Sequence, residues 1–167
     1  MPASLTEWAV LGVLATAPAH GFAVARELEG PSPVGRVWTV PRPLVYRAMN
    51  RLEDEGLIRP HATEPGAGGP QRTVFRIDRE GRAALDRWLR TPVNHLRDVR
   101  SELLLKLVLC HRHEVDPRPL VKNQQKVFRP HLAAFDLPAD RPADPVDRWR
   151  HESAQAVARF LQGLAES

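Results

Sequence analysis

The sequence contains no glycine-rich phosphate loop, no Cys/His spacing of the kind that holds a metal, and no motif pairing a nucleophile with its base. Its Asp and Glu residues fall at capping and surface positions and are not paired on a shared apolar face. An enzyme is therefore the least favoured reading, and neither a cofactor nor a metal is expected. His111 and His113 stand two apart, so a helix would turn them to different faces. Cys110 is the single cysteine and can form no internal disulfide; it lies in the apolar run 103–110, which suits a buried thiol in a reducing cytosol. No apolar run approaches the roughly 20 residues that span a bilayer. The opening residues 1–7 lack the basic stretch of a secretory signal. The expectation is a soluble, cytoplasmic protein with no membrane partner.

What is present is ordinary in amount and informative in arrangement. The chain has 167 residues, 43% of them hydrophobic and 26% charged, enough for a compact domain or a small domain with a helical extension. Its 16 prolines must fall mainly at helix starts, turns and linkers. Ser4-Leu5-Thr6-Glu7 reads as a capping box, and the stretch after it is apolar on nearly every side, as in a helix buried on most sides and open to both its own domain and a partner subunit. Pro18-Ala19-His20-Gly21 breaks it, and a second helix over 22–29 ends at Gly30-Pro31. His20 is read as fixing the turn between the two helices. Residues up to Thr39 are turn-rich, and Pro41 and Pro43 open a third helix. Along it Leu44, Val45, Ala48, Met49 and Leu52 form one stripe, while Tyr46, Arg47 and Asn50 project from the other side and Arg42 stands at the exposed start.

Residues 57–59 and 73–77 are β-prone and flank a Gly/Pro-rich segment, which predicts a β-hairpin with a flexible tip. Asp78 caps a fourth helix with Leu85, Trp88 and Leu89 facing inward. From about residue 94 every pattern is helical: one helix around 103–110, one starting at Asp116-Pro117 and kinked by Pro130, and one opening at Asp144-Pro145 after a Pro/Asp linker over 137–143.

Three helices, a hairpin and a fourth helix, in that order, make the pattern of a winged helix. The third helix carries the chemistry of a major groove: Arg can fork onto guanine, Asn onto adenine, and Tyr can donate to phosphate. The net charge of +4 is modest, but from Gly30 to Leu52 there are four Arg and no acid, and the wing from Pro65 to Ile77 holds Arg72 and Arg76, also without an acid. Local positive fields of this kind attract phosphate. The candidate DNA-contacting residues are Arg42, Tyr46, Arg47, Asn50, Arg51, Arg72 and Arg76.

Leu11-Gly12-Val13-Leu14 and the run from Pro18-Ala19-His20-Gly21-Phe22 to Glu29 resemble the opening of the PadR family of winged helix-turn-helix regulators. Residues 45–58 are similar to that family's recognition helix and wing entry, and residues 75–85 to its wing exit and next helix. Pro43-Leu44-Val45-Tyr46 departs from the family's frequent Gly-Thr-Leu-Tyr and lacks its hydroxyl. The resemblance implies a mainly α protein: a DNA-binding winged helix over 1–92 and an all-helical region over 93–167 that dimerises. It implies a homodimer on double-stranded DNA, most simply a repressor on a pseudo-palindromic operator. Some members of that family respond to phenolic or drug-like ligands, which leaves room for a small-molecule effector to which no residue is assigned. Trp8, Trp38, Trp88, Trp149, Phe128 and Phe160 suit such a ligand or, equally, a hydrophobic dimer core. The alternative function is a winged-helix module for protein–protein assembly, its exposed face meeting an acidic partner.

Overall fold

The computed structural model describes residues 2, 4–66, 69–134 and 144–166. Their contacts form two compact units, one of Met1–Leu89 with Leu104–Val115, the other of Arg90–Leu103 with Asp116–Ser167.

The first unit is a winged helix. Helix α1 (Leu5–Leu14) starts where the Ser4 hydroxyl accepts from the Glu7 N–H at 3.3 Å, and its residues 7–14 are all buried, as its lack of a polar face requires. Strand β1 (Ala19–His20) leads into α2 (Gly21–Glu29), and the predicted role of His20 is explicit: its Nδ1 accepts from the Ala23 N–H at 3.1 Å and caps the helix. The turn-rich segment contains a short helix, α3 (Pro33–Val37), that was not expected; Ser32 caps it by accepting from the Gly35 N–H at 2.9 Å, and Pro33 takes its first position. Helix α4 (Arg42–Asp54) is the predicted third helix. It ends at Gly56, whose φ of 69° only glycine adopts freely, and the Leu57 N–H closes the turn onto the Leu52 carbonyl.

Strands β2 (Ile58–Gly66) and β3 (Gly69–Ile77) form the hairpin, longer than the β-prone runs alone indicate, with Ala67 and Gly68 outside the described residues. The sheet order is β1-β3-β2, antiparallel throughout. Helix α5 (Arg79–Arg90) follows, with Asp78 accepting from the Arg79 N–H, and packs Leu85, Trp88 and Leu89 inward. Trp8 stacks on Trp88 at 4.7 Å with the rings nearly parallel, so these two aromatics are core.

Helix α6 (Leu104–Arg112) completes the first unit. Leu105, Leu109 and Cys110 enter the same hydrophobic core as α1 and α2, and Arg112 donates to Thr16 and Glu27. The Lys106 ammonium is buried over the Trp88 ring, 4.8 Å from its centroid. Burial lowers the His113 pKa below its usual value, and its Nε2 is buried without a hydrogen-bond partner among the described residues.

The second unit contains a 3-10 turn (Leu96–Asp98), a π turn (Val99–Leu103), α7 (Arg118–Ala134) and α8 (Pro145–Glu166). Asp116 accepts from the Arg118 N–H, Asp144 accepts from two N–H groups of the first turn of α8, and Pro130 lies inside α7, each as its position predicts. Gln124 is fully buried yet satisfied: its side-chain amide exchanges two 2.8 Å bonds with the Val93 backbone. Phe128 is in this unit's core. The predicted linker over 137–143 lies outside the described residues. Among them, no helix is long and apolar enough to cross a membrane.

Candidate nucleic-acid interface

Helix α4 buries Val45, Ala48, Met49 and Leu52, spaced i, i+3, i+4, i+7, and turns the rest outward. Leu44 departs from the predicted stripe: it is 41% exposed, because one residue before Val45 rotates its side chain by about 100° off the packed face. Tyr46, at 43% exposed, has its ring against Gly21 at the start of α2. A Cβ on Gly21 would come within 2.5 Å of a Tyr46 ring carbon, so glycine there is what lets the tyrosine settle. The exposed Arg47 and Asn50 side chains have neither ion pair nor hydrogen bond among the described residues.

Of the other candidate cations, Arg42, Arg51 and Arg72 are held by residues far away in sequence. Arg42 makes two contacts to Glu29: its backbone N–H donates to Oε1 at 3.0 Å and its guanidinium to Oε2 at 3.3 Å. Glu29 thereby caps the start of α4, where Pro41 offers no side-chain cap. Arg51 points back to α1, 3.6 Å from the carboxylate of Glu7, which is itself buried. Loss of Arg51 would weaken the compensation of a buried charge, which ties this side chain to stability. Arg72, on β3, sits over the Phe22 ring at 5.3 Å, and Glu64 is its register partner on β2. Arg76 stands opposite Arg59, whose own guanidinium is 3.6 Å from Asp78. The first acid-free window of the sequence is thus partly neutralised in space, by Glu7 and Glu29, whereas Asp78 at the wing base pairs with Arg59, outside the second window.

Between α4 and the wing lies a cleft of about 490 Å³, lined in part by His20, Phe22, Tyr46, Asn50, Arg72 and Phe75. It brings Tyr46, Asn50 and Arg72 together; Arg47 faces a separate, smaller hollow with Arg51, and Arg76 lines neither. From the sequence Phe22 and Glu29 entered only as members of the PadR-like run and Glu7 only as part of the capping box, none of them with an interface role. Their roles are contacts between helices, for which spacing along one helix carries no signal.

Residues 10–87 match the model of the Transcriptional regulator PadR-like family. Over that stretch the chain is similar to the PadR-like family. The PadR-like stretch runs from α1 through the wing into α5, and so includes the whole of α4 and its cleft. Among curated proteins the chain is similar to Rv1176c of Mycobacterium tuberculosis, named there a "Probable transcriptional regulator", with 29% identity over 96 residues. That alignment covers 58% of this chain and 49% of the relative, so the chain matches about half of that protein's length. Among solved structures it is similar to Bacillus subtilis PadR in complex with operator DNA, with 17% identity, a TM-score of 0.50, and coverage of 95% of this chain and 97% of that one. At this identity the likeness is one of fold: a mainly α protein in which a winged helix is followed by further helices.

Proposed function

We propose that this PadR-like protein is a sequence-specific, DNA-binding transcriptional regulator, a homodimeric repressor acting on a pseudo-palindromic operator in the cytoplasm. The carrying observation is the outward face of α4, where Arg47 and Asn50 stand unengaged beside Tyr46 on a rod anchored by four buried residues. Asn and Arg present the paired donors and acceptors that read adenine and guanine, and an anchored helix keeps them in register with base edges. Tyr46 and the wing Arg72 suit phosphate. Arg42 and Arg51 begin with carboxylate partners, so their share of phosphate binding requires exchange of those partners, and Arg76 contributes at most to the field around the wing base.

The family and the operator-bound state of B. subtilis PadR support this reading. In it, residues 1–92 bind DNA and residues 93–167 pair two copies, with α8 offering Val146, Trp149 and Phe160 to the second copy. No catalytic role belongs to it.

The test is a salt titration of binding to random duplex DNA. Affinity should fall steeply with added salt as counterions are released. A flat response, or no binding, would overturn the reading and turn attention to an acidic protein partner.

A further inference from the structure

We propose that Phe22 is a positioning residue of the DNA interface: its ring is a platform that orients the wing guanidinium of Arg72 alongside Arg42 of α4. The inference rests on the DNA-binding reading above. Phe22 is the second residue of α2, half-buried in the wall of the cleft, two residues after the His20 cap, whose ring centroid lies 6.3 Å from its own. The Arg42 guanidinium carbon lies 4.8 Å from its ring centroid and that of Arg72 5.3 Å, both within the reach of a cation–π contact. Two cations from separate elements therefore share one aromatic surface.

The two arginines differ in what else holds them. Arg42 is also fixed by Glu29, which neutralises it. No ion pair holds Arg72 among the described residues, and the ring is its recorded side-chain contact. An aromatic face differs from a carboxylate in a way that matters here. It attracts the flat face of a guanidinium through its quadrupole but takes none of the N–H edge donors, which stay available to phosphate. A hairpin arginine ordered in this way loses less side-chain freedom on binding.

The experiment measures binding of random duplex DNA by the full chain carrying Phe22→Leu, Phe22→Trp, or pentafluorophenylalanine at position 22, each with and without Arg72→Ala. Phe22→Leu should weaken binding about fivefold, the scale of an exposed cation–π contact with a share from each arginine. Phe22→Trp should restore it. Pentafluorophenylalanine keeps the ring's outline and reverses its quadrupole, so it should weaken binding like leucine even if the leucine variant folds poorly. With Arg72→Ala these differences should shrink to the remainder due to Arg42. If the fluorinated ring binds DNA as well as wild type, or if Phe22→Leu costs the same with and without Arg72, the platform is refuted and Phe22 only packs. If wild type itself shows no salt-dependent binding, the DNA reading fails first, an outcome distinct from both.

Discussion

Helices α4 and α8 both leave large side chains in water, and the two faces differ in kind. On α4 Val45, Ala48, Met49 and Leu52 are covered by their own unit, and what remains outside is mostly polar, Tyr46, Arg47 and Asn50, with Leu44 an exposed aliphatic beside them. On α8, which is 22 residues long, Ala154 and Leu161 are buried, while Val146, Phe160 and the 73% exposed Trp149 are not. A helix with most of its apolar side satisfied offers mainly charge and hydrogen bonds, which suits a polyanion. A helix with exposed tryptophan gains most by covering it, which suits another apolar surface such as a second copy. The contrast separates two partners before either is identified.

It can be broken most forcefully at Trp149. Trp149→Asp should raise the dissociation constant of the proposed dimer by well over tenfold, because a carboxylate would replace an apolar anchor. Sedimentation equilibrium checks this, and an unchanged dimer would remove α8 from the subunit contact. Next in size, Arg47→Ala or Asn50→Ala should cost about 1–3 kcal/mol of specific binding and relax choice at one base position. Selection from a randomised operator library measures it; selectivity left intact would mean that these side chains do not read bases. The smallest effect is expected from Glu29→Gln, which keeps the acceptor for the Arg42 N–H but removes the charge. Binding to random DNA should strengthen a few-fold and the salt slope should steepen by up to about 0.9, one additional phosphate contact. An unaltered slope would show that Arg42 is kept out of the interface in either case.

The elements that could be foreseen from the sequence are those fixed by local chemistry. Ser4, Asp78 and Asp144 cap their helices because a short polar side chain reaches backbone donors within one turn. Gly/Pro density between two β-prone runs marked the hairpin. Helix α3 escaped although Ser32-Pro33 is a fair start signal, since five residues are too few to show a helical period. Strand β1 is only two residues, defined by pairing with Phe75 and Val74 on β3, which no local rule contains. At the interface, outward-facing residues were legible from periodicity, and their engagement was not. Glu29 precedes Arg42 by 13 positions and Glu7 is still further from Arg51, so the first acid-free window overstated the free positive charge.

The placement of α6 bears on how this protein can be dissected. The polypeptide leaves the winged helix after Leu89, comes back for Leu104–Val115, and departs again. A fragment stopped at residue 92 would lack Leu105, Leu109 and Cys110, all shielded from solvent inside the winged-helix core, and would uncover Gly12 of α1, against which Leu109 packs. Trimming to the family-matched stretch would thus yield a sticky, poorly folded piece. A minimal DNA reader would need the strand of chain through Val115 retained, or a grafted helix in its place.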